Sequence, residues 1–198
     1  MIKTGIMGGT FDPIHNGHMI IAQYAYEALG LDEVWFMTSG NPPHKAGSER
    51  TSAELRHRMV ELALNQSEAF VPCDYEVKRS EFSYSAVTLK NFRELYPDRE
   101  FYFIIGQDSL SYFDKWYHPE EIIKYAKIPV FPRGADRSLA EEISMARNKL
   151  DGDFIGIDMP LIGISSTELR KRVKEGKGIR FMVPDAVEKY IREKGLYK

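Results

Sequence analysis

The chain has 198 residues, 43% of them apolar, enough to bury one sizeable core, so a single domain spanning residues 1–198 is expected. Its 27 Lys and Arg against 29 Asp and Glu leave a formal charge of -2, which excludes a global positive field directed at nucleic acid or an anionic membrane. Any anionic ligand must be held locally. The lone cysteine, Cys73, lies in an apolar stretch, reads as core, and rules out an intramolecular disulfide. No apolar run approaches the roughly 18 residues that cross a bilayer, so a soluble cytoplasmic protein is expected.

Strand-like and helix-like segments alternate along the chain. Thr4–Met7 reads as a first strand, and Ile20, Ile21, Tyr24, Ala25 and Ala28 recur at helical spacing until Gly30 offers a C-cap. Val34–Met37 is a second strand. Thr51 and Glu54 form a capping-box pattern ahead of a helix carrying Leu55, Met59, Leu62 and Ala63. Phe70–Val77 reads as strand, Ala86–Tyr96 as a helix stopped by Pro97, and Phe101–Ile105 as a central, fully buried strand ending at Gly106. Ile128–Phe131 and Phe154–Ile157 are strands flanking a helix at Leu139–Leu150. Ser165 and Ser166 open another helix, and a last one runs from near Pro184 to Gly195. This alternation predicts an α/β, Rossmann-like, doubly wound parallel sheet in a single domain, with ligands bound beyond the carboxyl ends of the strands.

Residues 8–18 read GGTFDPIHNGH, between the first strand and its helix. Gly8 and Gly9 remove side chains where the backbone turns, so a phosphate chain could approach the main-chain amides closely. The spacing matches neither GxGxxG nor GxxxxGK followed by Ser or Thr. His15 and His18 are three residues apart at a helix start, where both imidazoles can lie on one face beside unpaired amides and donate to a phosphate as charge moves toward a leaving pyrophosphate. A turn with helix-capping histidines, or a zinc pair, would also fit this spacing, although neither HExxH nor clustered cysteine accompanies it.

This loop resembles the signature of the HxGH nucleotidyltransferase superfamily, and GG, FDP and both histidines together resemble nicotinate-nucleotide adenylyltransferases. The resemblance implies direct attack by a substrate phosphate on the α-phosphorus of ATP, with no covalent enzyme intermediate. It also implies that Ile164, Ser165, Ser166 and Arg170, within ISSTELR, hold the β- and γ-phosphates, with Arg170 acting beside the histidines. Taken alone, that stretch is equally an N-cap with a solvated arginine. Gly8, Gly9, Thr10 and Phe11 are expected to bind ATP, with Gly106 and Asp108 in FIIGQDSL at its ribose and Arg133 at a phosphate. On the acceptor side, His44 and Lys45 in PPHK are expected at the nucleotide phosphate, Tyr84 and Ser85 at the nicotinate carboxylate, and Trp116 and Tyr117 against the pyridine ring.

The sequence departs from the family where Gly-Pro usually precedes Ser-Tyr-Thr: Glu81 and Phe82 stand there, and Ser85 replaces the threonine. His57 and His118 match no catalytic pattern and read as structural. Magnesium is expected as cofactor, held by ATP phosphates and water with no protein ligand. The expected partners are ATP and nicotinate mononucleotide, with no nucleic acid or membrane, and with room for a homo-oligomer. The competing readings are dual use of nicotinate and nicotinamide mononucleotide, a phosphopantetheine adenylyltransferase, a cytidylyltransferase that shares HxGH, and a nucleotide sensor without chemistry. The sensor reading suffers because both histidines and the serine–arginine group are retained.

Overall fold

Ile6 and Met7 are neighbours in sequence but enter different cores, because successive side chains of a strand point to opposite faces. Both faces of β1 (Ile2–Gly9) are therefore covered, which is the condition under which parallel sheets are stable. The computed structural model describes residues 1–40, 50–65, 67–79, 81–134 and 136–198.

After β1 come α1 (Asn16–Leu29), β2 (Glu33–Thr38), α2 (Ala53–Leu64), β3 (Phe70–Cys73) and α3 (Ser85–Leu95). The second half comprises β4 (Arg99–Gly106), the short α4 (Gln107–Leu110), a 3-10 turn at Phe113–Lys115, α5 (Pro119–Tyr125), β5 (Ala126–Phe131), α6 (Leu139–Lys149), β6 (Phe154–Gly156), α7 (Ser166–Lys174) and α8 (Asp185–Lys194). The six strands form one sheet in the order β3-β2-β1-β4-β5-β6, and every pairing is parallel. One core gathers Ile21, Phe36, Met59, Leu169, Val187 and Ile191 from β2 and from α1, α2, α7 and α8. The other gathers Leu89, Phe92, Ile105, Ile122 and Ile143 from β4 and from α3, α5 and α6. The expected α/β, doubly wound, Rossmann-like architecture is thus realised, and β4 is the buried central strand anticipated from Phe101–Ile105.

Gly30 and Gly195 cap α1 and α8 in the left-handed region, with φ of 57° and 61°, a conformation that glycine adopts without a Cβ clash. Two local expectations need correction. The N-cap of α2 is Ser52, whose hydroxyl accepts from the Leu55 N–H at 3.4 Å, so Thr51 stands outside the box with Glu54. The strand expected over Phe70–Val77 stops at Cys73, because the following residues turn to carry the Glu76 carboxylate into the protein, where it accepts from the Thr88 hydroxyl at 2.8 Å. Cys73 is half-buried against the second core, and burial pushes its thiol up to about 11, leaving it unreactive. Among the described residues no helix is long and apolar enough to cross a membrane.

Candidate active site

From β1 the chain proceeds outward to β2 and β3 on one side, and from β4 to β5 and β6 on the other. The crevice beyond the carboxyl ends of β1 and β4 is therefore the point where strand order reverses, the usual ligand position in such sheets. The loop after β1 carries Gly8 to His18, and the end of β4 carries Gly106 and Asp108. Two stretches nearly ninety residues apart in sequence are thus neighbours in space because β1 and β4 pair.

His15 is the N-cap of α1 and His18 lies in its first turn. Their rings stack with centroids 3.7 Å apart and planes inclined by 24°. The His15 backbone N–H donates to His18 Nδ1 at 3.2 Å. In the neutral ring the proton must then sit on Nε2, which leaves His18 a single outward donor. Burial, aided by the nearby Arg133 charge, pulls His15 down to about 4. Burial, then His15 and Arg133, holds His18 well below the usual histidine range. Both rings are neutral near pH 7, so the pair offers hydrogen bonds to a phosphate without mutual charge repulsion. His15 is only 2% exposed and His18 is the more open of the two.

Phe11 supports this stack from below. Its φ of 49° lies in the left-handed region, which disfavours a non-glycine residue by roughly 1–2 kcal/mol. Burial of its ring against Phe36 and the edge of His18 offsets that strain. A Cβ on Gly9 would meet the Phe11 ring at 2.8 Å, so Gly9 is required by packing, whereas a Cβ on Gly8 would meet nothing nearer than 3.4 Å. Packing therefore requires glycine at position 9 and not at position 8. A Cβ on Gly17 would press on both the His15 ring and Ile162 at 3.0 Å, which explains the glycine between the two histidines.

The ISSTELR stretch joins this loop directly. The Ser165 side chain caps α7 by accepting from the Glu168 N–H at 3.2 Å. Ser166 Oγ donates to the Pro13 carbonyl at 2.9 Å, and Arg170 Nη1 donates to the Asp12 carbonyl at 2.8 Å. Ser166 thus spends its hydroxyl on holding the loop, which leaves the first-turn amides of α7 as the groups an anion there could use. Ile164 is half-buried against the first core and fixes the entry to that turn.

At the end of β4, a Cβ on Gly106 would lie 2.3 Å from Asp108 Oδ1, so the glycine lets the carboxylate fold back over the strand end. Asp108 is exposed and lies 3.9 Å from Arg133 Nε. Buried Gln107 fixes this side, accepting from the Arg133 N–H at 3.3 Å and donating to the Arg137 carbonyl at 2.7 Å.

On the acceptor side Tyr84 is the N-cap of α3 and Ser85 its first residue. The Tyr84 and Tyr117 rings lie 4.3 Å apart, with Tyr117 half exposed. Trp116 stands between burial and exposure, its ring 5.2 Å from Phe113 and 6.3 Å from Phe103. The structure therefore brings Tyr84, Ser85 and Tyr117 together, while Trp116 is anchored on the second core. His44 and Lys45 lie outside the described residues. His57 bonds to Thr38 at 3.1 Å, and His118 caps α5 beside Glu120, consistent with structural roles.

Three supporting residues were not anticipated. Arg56 is 2% exposed and donates to four backbone carbonyls: Thr10, Thr51, Ser39 and Gly40. It ties the β1 loop to the end of β2. Buried Glu76 bonds to Thr88, Ser83 and the backbone of Gly40, and burial raises its carboxyl above the usual range. Gln107 is the third. A sequence signal existed for Arg56 alone, a charge on the same helical face as Met59 and Val60.

Residues 6–172 match the cytidylyltransferase-like family. Over 201 aligned residues the chain is 40% identical to a probable nicotinate-nucleotide adenylyltransferase of Clostridium botulinum (strain Loch Maree / Type A3), covering all of both chains. A protein of the same name from Clostridium kluyveri is 41% identical over 203 aligned residues, again covering all of both. In three dimensions the chain resembles the Plasmodium falciparum nicotinic acid mononucleotide adenylyltransferase complexed with NaAD, with a TM-score of 0.81 over 100% of this chain and 98% of that one, at 22% identity. That last likeness concerns the fold, whereas the full-length identities concern the family. The chain belongs to the nicotinate-nucleotide adenylyltransferase family, within the cytidylyltransferase-like nucleotidyltransferases.

Proposed function

We propose that this protein transfers the adenylyl group of ATP to nicotinate mononucleotide, forming nicotinate adenine dinucleotide and pyrophosphate in NAD biosynthesis. The observation that carries this reading is the neutral His15–His18 stack at the start of α1, joined through one loop to Arg170. A phosphate oxygen of the acceptor attacks the α-phosphorus, a new P–O bond forms, and the bond to the bridging oxygen of pyrophosphate breaks. The attacking phosphate monoester is already anionic at neutral pH, so no general base is required. His18 Nε2 donates to the oxygens of the reacting phosphate, and the positive end of α1 favours the charge that develops there. Arg170 and the amides opening α7 hold the β- and γ-phosphates, while Asp108 accepts from the ribose hydroxyls and Arg133 faces the phosphate chain. Positioning and charge neutralisation supply most of the rate.

Magnesium bound to ATP would neutralise phosphate charge. Among the described residues no group of three or more His, Cys, Asp or Glu could hold a metal ion. Both oxygens of the loop carboxylate, Asp12, are engaged by protein donors. In this reading the ion is carried by phosphate and water oxygens of the bound nucleotide. For the acceptor, the free amides in the first turn of α3 suit the nicotinate carboxylate, and the Tyr84–Tyr117 pair with Trp116 suits the ring. Recognition through backbone amides tolerates Ser85 in place of threonine.

The test is pyrophosphate release from ATP and magnesium with nicotinate mononucleotide, nicotinamide mononucleotide or phosphopantetheine at equal concentration. A strong preference for the nicotinate form is expected. Equal use of the two pyridine nucleotides would replace the acid-specific reading with dual specificity, and activity with phosphopantetheine alone would overturn the acceptor assignment.

A further inference from the structure

The C-terminal segment returns to the catalytic loop. Gly195 turns the chain at the end of α8, with the Leu196 N–H donating to the Ile191 carbonyl at 3.0 Å. Tyr197 then adopts a φ of 64° and directs its side chain inward. Its hydroxyl donates to Asp12 Oδ1 at 2.6 Å and lies 4.0 Å from Met59 Sδ. Asp12 belongs to the GGTFDPIHNGH loop and is 4% exposed. Its second oxygen, Oδ2, accepts from the Thr51 N–H at 3.3 Å, and its peptide carbonyl accepts from Arg170 at 2.8 Å.

A carboxylate in a loop that receives a triphosphate would repel the ligand if it faced it. Here each oxygen is occupied by a donor from elsewhere in the fold, and the positive charge of Arg56 acts on it. The charge is thereby turned into the protein while the carbonyl of the same residue is turned toward Arg170.

We propose that Tyr197 is a positioning residue for adenylyl transfer: acting through Asp12, it fixes the loop carbonyl on which Arg170 rests and so sets the placement of that guanidinium relative to His18. This rests on the reading above that the loop and Arg170 serve ATP. The left-handed turn at Tyr197 brings its side chain both against the first core, where Leu196 also packs, and onto Asp12.

The test compares Tyr197→Phe with wild type in steady-state assays, alongside denaturant unfolding so that rates refer to folded protein. The expected result is a fall in kcat of about tenfold or more, with KM for the pyridine nucleotide within about twofold of wild type. Asp12→Glu keeps the Tyr197 ring in place but shifts the carboxylate, and it should reproduce the same split even if Tyr197→Phe folds poorly. The Tyr197→Phe, Asp12→Ala double variant should be no slower than Asp12→Ala alone. An unchanged kcat, an equal loss in acceptor KM, or multiplicative effects in the double variant would overturn the proposal. The acceptor that wild type prefers tests the function reading. The ratio of variant to wild type, measured with whichever acceptor is used, tests this one.

Discussion

Arg170 donates to the carbonyl oxygen of Asp12 at 2.8 Å across 158 positions of sequence. The contact uses one nitrogen of the guanidinium, while Nη2 reaches Thr167 Oγ1 at a weak 3.4 Å. The planar fork is therefore held in register with the loop, with donors left over for phosphate oxygens. Arg170→Lys keeps the charge but has no fork with which to hold the carbonyl and a phosphate together. We expect kcat/KM for ATP to fall about 10- to 100-fold in Arg170→Lys and further in Arg170→Ala. Pyrophosphate release at varied ATP measures this, and wild-type kinetics for the lysine variant would remove the fork from the mechanism.

His18 presents its Nε2 donor only because Nδ1 is occupied by the His15 N–H. His18→Ala should lower turnover by about 100-fold or more while changing acceptor binding by less than about threefold. Titration calorimetry with the acceptor, set beside turnover, separates the two quantities. Unchanged turnover would take His18 out of the chemistry.

Arg56 donates hydrogen bonds to four carbonyls at the junction of two loops, so its loss leaves buried acceptors without donors. Arg56→Ala should destabilise the fold by about 3–5 kcal/mol, and Arg56→Lys should recover only part of this because an ammonium cannot reach carbonyls in so many directions. Denaturant midpoints decide the matter, and a loss below about 1 kcal/mol for the alanine variant would show that water replaces the guanidinium.

His15 links stability to pH. Its ordinary value of 6.5 falls to about 4 in the fold, so as pH drops the unfolded chain takes up the proton first. Its stabilising contribution is full above about pH 6.5 and is lost progressively as pH falls toward 4, by at most about 3 kcal/mol. Unfolding free energies of wild type and His15→Gln between about pH 7 and pH 4.5 should converge toward acid. Parallel curves would mean that His15 titrates alike in both states.

Much of this molecule was legible in the chain. Strand β4 showed itself as an unbroken apolar run because a central parallel strand is buried on both faces, and Gly30 and Gly195 marked helix ends because the left-handed cap favours glycine. The segments α4, α5 and the 3-10 turn were missed because three to seven residues are too few to display a helical period. The end of β3 at Cys73 was missed because it depends on where Glu76 finds its partners. The loop residues and ISSTELR could be named from local spacing, but that Ser166 and Arg170 would clasp Pro13 and Asp12 had no local signature.

Local patterns in the chain set the order of the elements and the parallel doubly wound class, since periodicity, caps and glycine spacing are properties of neighbouring residues. Which polar groups are spent on the protein and which stay open depends on the folded arrangement. Arg56, Asp12 and Tyr197 come together from distant parts of the chain, and buried polar groups must find partners wherever the fold brings donors and acceptors within about 3 Å.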